Sequence, residues 1–173
     1  MTDTPARTLV LARHARAKND GASDAVRELS SEGYADAGAM GRWLAQAGHR
    51  FGAVVCSTST RTRQTWSEIQ ANGVSADKVR FDERVYDGDP AVLLDVLAEV
   101  PDRVRTLLVI GHAPTIPELA DLLADPGASD TAAVIALRSS FPSGCLAVLT
   151  LQETWAELAP GSATLTEVTT PRA

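Results

Sequence analysis

The chain has 173 residues, of which 45% are hydrophobic and 22% charged, and a formal net charge of −6. That length suits one core of ordinary size, and the composition is that of a globular protein rather than a disordered or membrane-embedded one. The acidic balance argues against a basic nucleic-acid-binding face, and no apolar run resembles a secretory leader or approaches the roughly 18 residues of a membrane span. The expectation is therefore a cytoplasmic protein with neither nucleic acid nor membrane as a partner.

Thr8 to Ala12 is a continuous apolar run without alternation, as in a central parallel strand covered on both faces, and it stops at Arg13-His14. After a polar loop, Ser30 precedes a segment in which Ala37, Met40, Leu44 and Ala47 recur at helical spacing, with Gly48 as the stop. Phe51 to Cys56 repeats the buried-strand pattern. Ser57 to Thr60 offers N-caps for a helix from about Arg61 to Gln70, closed by Asn72-Gly73. Val79 to Phe81 reads as a short strand, and Asp89-Pro90 opens a helix that runs through Glu99 and ends before Pro101.

Thr106 to Ile110 is the third buried strand, and Thr115-Ile116-Pro117-Glu118 has the spacing of a capping box at the head of a helix reaching Ala124. Leu146 to Leu151 is a late strand, Trp155 to Leu158 is expected to pair with it as a hairpin, and the last dozen residues read as a loose tail. Strands alternating with helices predict an α/β three-layer sandwich, a mainly parallel central sheet flanked by helices. The expected organisation is a single domain over residues 1–173, with its core at about 7–159 and a tail from about 160. Cys56 and Cys145 each border an apolar stretch and read as buried thiols rather than a disulfide.

In open α/β sheets, sites form at the carboxyl ends of strands. Three such ends carry polar residues of one chemical kind: Arg13-His14, Ser57 through Arg61, and Gly111-His112. The third histidine, His49, follows Gly48 in an expected surface turn and reads as structural or solvated. One histidine after a strand is an ordinary feature; two of them with arginines describe an anion pocket, because guanidinium groups match phosphoryl oxygens in charge and planar geometry.

These segments resemble the signature of the histidine phosphatase superfamily, also called phosphoglycerate mutase-like, and within it the short SixA-type branch of phosphohistidine phosphatases. The matching stretches are Arg13-His14-Ala15, the run Cys56-Ser57-Thr58-Ser59-Thr60-Arg61, and Gly111-His112-Ala113-Pro114. The resemblance implies a phosphoglycerate mutase-like fold. It implies that His14 is the nucleophile that becomes phosphorylated, and that Arg13, Arg61 and His112, with Ser57, bind the phosphoryl group. Ala15 stands where the wider superfamily usually has glycine, as is common in the short branch.

Mutase-like members use a glutamate to protonate the leaving oxygen. By its resemblance to the family's glutamate-arginine pair, Glu83 is the expected acid, with Asp87 and Asp89 as alternatives; Asp89 also reads as a helix N-cap and Asp87 as a turn residue. Neither a metal nor another cofactor is expected, since no carboxylate or cysteine accompanies the histidines at ligand spacing. The substrate is expected to be a phosphorylated protein or a small phosphorylated molecule. Phosphohistidine leads, because its free ring nitrogen can take up a proton before the bond breaks. A broad small-molecule phosphomonoesterase and a non-catalytic phosphate-binding module are the competing readings.

Overall fold

The structure, a computed structural model, describes residues 5–173, and its centre is a six-stranded sheet in the order β3-β2-β4-β1-β5-β6. The strands are β1 (Arg7–Arg13), β2 (Ala53–Cys56), β3 (Val79–Phe81), β4 (Thr106–Gly111), β5 (Leu146–Leu151) and β6 (Thr164–Thr169). The pairs β1–β4, β2–β4 and β2–β3 are parallel, whereas β5 runs antiparallel to β1 and to β6.

The apolar runs form strands because both faces are covered, and successive side chains alternate between two cores. Leu9, Leu11, Ala53, Val55, Leu107 and Val109 enter one core, which also receives Leu93, Leu97, Ile116 and Leu119 from helices on that face. Val10, Ala12, Val54, Cys56, Leu108 and Ile110 enter the other, with Met40, Leu44, Trp66 and Ile69 from helices on the opposite face. The result is the expected three-layer α/β sandwich. No helix of the described residues is long and apolar enough to cross a membrane.

Helix α1 (Ser31–Gln46) starts where Ser30 Oγ accepts from Gly33 N at 3.0 Å. A Cβ at position 33 would collide with the Arg16 carbonyl, so glycine lets the helix start lie against the segment that follows β1. Helix α2 (Thr60–Ala71) is capped by Ser59. A single turn, α3 (Arg84–Asp87), precedes α4 (Pro90–Ala98), at which Asp89 accepts from Val92 N at 2.9 Å in the expected cap. α5 spans Thr115–Leu123 and α6 Thr131–Ser139.

Four details differ from expectation. Thr115 does not cap α5: it lies one residue inside the helix, and its hydroxyl donates to Gly88 O at 3.1 Å instead. Trp155 to Leu158 does not pair with β5. Trp155–Glu157 is a 3-10 turn held by a capping box between Thr154 and Glu157, and the fully buried indole donates to Val104 O at 2.8 Å. The C-terminal segment is not a loose tail, because β6 completes the sheet edge. Helix α6 lies where the sequence predicts no element; only Ala133 and Leu137 of it are buried, too few to print a period on the sequence.

Candidate active site

The carboxyl ends of β2, β4 and β1 are neighbours in the sheet, and the ladder continues past them: Ser57 N donates to Ile110 O at 3.0 Å and His14 N to Gly111 O at 3.1 Å. These bonds bring His14, Ser57 and His112 to one place before any side chain interacts. On the β5 side, Gly144 takes the left-handed backbone conformation (φ 80°), and its N–H faces the carbonyls of Arg13 (3.2 Å) and His14 (3.0 Å). The same loop supplies Phe141 O, which accepts from Arg13 Nη1 at 3.0 Å. Arg172, beyond β6, holds that loop from behind by donating to Ser143 O (3.0 Å) and to the buried Asp36 carboxylate (2.9 Å).

The side chains form one network around Arg61, in the first turn of α2. Its Nε donates to His14 Nε2 at 3.2 Å, and Nη2 donates to His112 Nδ1 at 3.3 Å. Nη1 donates to Asp24 O at 2.6 Å and Nη2 to Asp24 Oδ2 at 3.0 Å. His14 Nδ1 lies 2.7 Å from Ala15 O, and since a carbonyl can only accept, the proton is on Nδ1 and Nε2 is unprotonated, its lone pair accepting from Arg61 Nε. Arg61 Nη2 can only donate, so His112 Nδ1 accepts and the ring carries its proton on Nε2, 2.8 Å from Ser57 Oγ.

Both imidazoles are neutral. Burial, and then the positive charge of Arg61 among its neighbours, depresses His14 to about 3 and His112 to about 4. Asp24 is also shifted downward, which for a carboxylic acid favours the charged form: hydrogen bonds from Tyr86 (2.7 Å) and Arg61 hold it at about 2, so it is a carboxylate and an acceptor at neutral pH. These groups surround an open cavity of about 590 Å³, whose walls include Arg13, Arg16, Arg27, Tyr86 and Asp87. Among the described residues, no three His, Cys, Asp or Glu side chains gather as a metal-binding group.

The structure therefore brings Arg13, His14, Arg61 and His112 to one cavity wall. Ser57 lies beneath it, fully buried, where it meets His112 and not the cavity. Glu83 is exposed and does not line the cavity, although Tyr86 and Asp87 of the turn that follows it do. Its neighbour Arg84 is taken up by Asp82 and Glu99. Asp87 lines the cavity, and Asp89 caps α4. Ala15 is buried in the α1/α2 core, so its methyl group does not crowd the site. Sequence reasoning missed Asp24 and Tyr86. Asp24 belongs to a 3-10 turn, Asp24–Val26, at the tip of a polar loop closed by the Ala17–Leu29 bridge, and nothing in the local sequence signals where that tip folds.

The fold and this pairing of histidines with arginines define a histidine phosphatase: the chain belongs to the histidine phosphatase superfamily (branch 1), whose family profile matches residues 9–88. It is a hydrolase of the histidine-nucleophile kind, and within the superfamily it falls in the SixA-type phosphohistidine phosphatase branch. A structure from Nakamurella multipartitia that carries the provisional designation phosphohistidine phosphatase SixA is 38% identical, with 98% of each chain covered and a TM-score of 0.86. An uncharacterized protein of Mycobacterium tuberculosis (strain H37Rv) is 38% identical over 161 residues, 92% of this chain and 99% of that one. The protein histidine phosphatase SixA complexed with tungstate shares the fold, at 24% identity, a TM-score of 0.77, and coverage of 95% of this chain and 97% of that one.

Proposed function

We propose that the chain hydrolyses phosphohistidine on another protein through a phospho-His14 intermediate. The observation that carries this reading is the tautomer of His14: the Nδ1–H bond to Ala15 O leaves the Nε2 lone pair directed at the guanidinium that would hold a phosphoryl group. A neutral imidazole is a competent nucleophile, and the depressed pKa keeps it so across the physiological range. In the first step Nε2 forms a bond to phosphorus while the phosphorus–nitrogen bond of the substrate breaks, and that electron pair returns to the departing ring. In the second, water attacks phospho-His14, the new bond breaks back onto Nε2, and phosphate leaves.

Arg61 is assigned the central binding role. Its Nε would move from Nε2 to a phosphoryl oxygen as the nucleophile engages. Arg13 reaches the same group from the other side, and its Nε, buried without a partner among the described residues, gains an acceptor. At an effective dielectric near 20, a unit charge about 4 Å away contributes roughly 4 kcal/mol, so two fixed guanidinium groups suffice to hold the equatorial charge of the transition state. His112, steadied by Ser57, supplies a third contact.

Substrate class follows from the carboxylates. The aspartate in contact with Arg61 is ionised and cannot deliver a proton, Glu83 does not line the cavity, and Asp87, which does, is exposed at its rim and hydrogen-bonded to none of Arg13, His14, Arg61 and His112. A phosphoramidate with a protonated ring carries its own leaving-group proton, whereas an alkyl phosphate does not. The open cavity favours a side chain on a protein over an enclosed small molecule. Rapid quench with a phosphohistidine-labelled peptide tests the reading: an acid-labile label should appear on His14 of the wild type. Turnover without that label would end the covalent mechanism. Faster turnover of sugar phosphates than of the peptide would favour the small-molecule reading.

A further inference from the structure

Asp24 is unexplained by the phosphoryl chemistry. Its carboxylate stands in the wall of an anion pocket with its side chain 53% exposed, where a negative charge repels the phosphoryl group that the guanidinium groups attract. Its position is nonetheless built. Oδ2 receives Arg61 Nη2 at 3.0 Å and the Tyr86 hydroxyl at 2.7 Å, and Oδ1 receives Arg27 Nη1 at 3.2 Å. Arg61 spans the interval between the two groups, with Nε on His14 Nε2 and Nη2 on Asp24. A phosphoryl group seated on Arg61 would thus have His14 on one side and an acceptor-only oxygen pair toward its other flank.

We propose that Asp24 is a specificity-determining residue that accepts the ring N–H of the departing imidazole, selecting phosphohistidine over phosphate monoesters. The assignment rests on the phosphohistidine reading above and deepens it. Transfer from one imidazole to another is chemically symmetric, so both rings have the same need: the nitrogen distal to phosphorus must keep a proton for the ring to leave neutral. For His14 that need is met by Ala15 O, 2.7 Å from Nδ1. Asp24 is the corresponding acceptor for the substrate ring.

The step balances. Solvent protonates the distal nitrogen of the substrate ring, and the resulting N–H donates to the Asp24 carboxylate, which stabilises the cationic ring. As the His14–phosphorus bond forms, the old phosphorus–nitrogen bond breaks and its electrons neutralise the ring. The distal proton stays with the departing imidazole. A monoester brings no such N–H, so it meets only the repulsion.

The test compares wild type with Asp24→Asn on two substrates, a phosphohistidine peptide and p-nitrophenyl phosphate, whose leaving group needs no proton. The variant should lose about 10- to 100-fold in kcat/KM on the peptide and gain several-fold on the aryl phosphate, because an amide neither holds a cation strongly nor repels a dianion. Asp24→Glu, which restores the charge, should move both values back toward wild type. Equal losses on both substrates would overturn the assignment and leave Asp24 as a positioning residue for Arg61. Wild-type hydrolysis of the aryl phosphate alone would overturn the phosphohistidine reading itself, and the Asp24 assignment with it.

Discussion

The floor of the cavity and its mouth are built on different principles. The floor consists of Arg13, His14, Arg61 and His112, set on strand ends or the first turn of a capped helix and fixed by ladder hydrogen bonds that run on from the sheet. The mouth consists of Asp24, Arg27, Tyr86 and Asp87, carried by a 3-10 turn and a single helical turn. His14 and Arg61 are 8% and 6% exposed, whereas the Asp24 side chain is half exposed. A rigid cationic floor suits a demand shared by all phosphoryl substrates; a more solvated mouth is where the leaving group is distinguished.

Substitutions can break this contrast, and the largest effects belong to the floor. His14→Ala should abolish the phosphoenzyme and lower kcat by about 10⁴-fold or more, with the melting temperature little changed. Retention of a tenth of the activity would remove His14 from the nucleophile's role. Arg61→Lys keeps the charge but not the fork that reaches His14, His112 and Asp24 together, and a loss of about 10²- to 10³-fold in kcat/KM is expected. Ser57→Ala, beneath the floor, should cost about 10-fold through a less firmly oriented His112; kinetics like those of wild type would show that His112 needs no such support.

Acid should weaken the floor as a folded unit. His14 and His112 are held neutral down to about 3 and about 4, while in the unfolded chain both take up protons near 6.5. Between pH 6.5 and about 4 the unfolded state therefore binds more protons than the native state, and stability falls as pH falls. Thermal unfolding across that range should show the decline, and His14→Ala should make it shallower. The smallest effect is predicted for Glu83→Gln, outside both floor and mouth: activity within about two-fold of wild type. A large loss there would place an acid where the structure has none.

The floor was legible in the sequence and the mouth was not, for a physical reason. Residues 9–12, 53–56 and 107–110 are apolar without interruption because each strand is buried on both faces, and the residue after a buried strand has a position determined by the sheet. Asp24 depends on how an eleven-residue-scale polar loop closes on itself through the Ala17–Leu29 bridge, and its neighbours Ser23 and Ala25 have no pattern to read. Glu83 was expected from its resemblance to the family's glutamate-arginine pair, but here Arg84 is engaged by Asp82 and Glu99, and Tyr86 and Asp87 are the residues of this segment that reach the cavity. β6 escaped notice for a related reason: of its residues only Leu165 is fully buried, and the rest is held by backbone pairing with β5.

The sheet order also bears on synthesis. β1 is made first but ends up between β4 and β5, and the loop that clasps the Arg13 and His14 carbonyls through Gly144 is made after all four parallel strands. The ribosome therefore delivers His14 well before the segment that closes the pocket over it. Stalled chains whose exposed portion stops before Phe141 should accordingly bind no phosphate analogue such as vanadate, and those exposing β5 and β6 should. His14 would then emerge early and lack a finished phosphate pocket until β5 and β6 have been made.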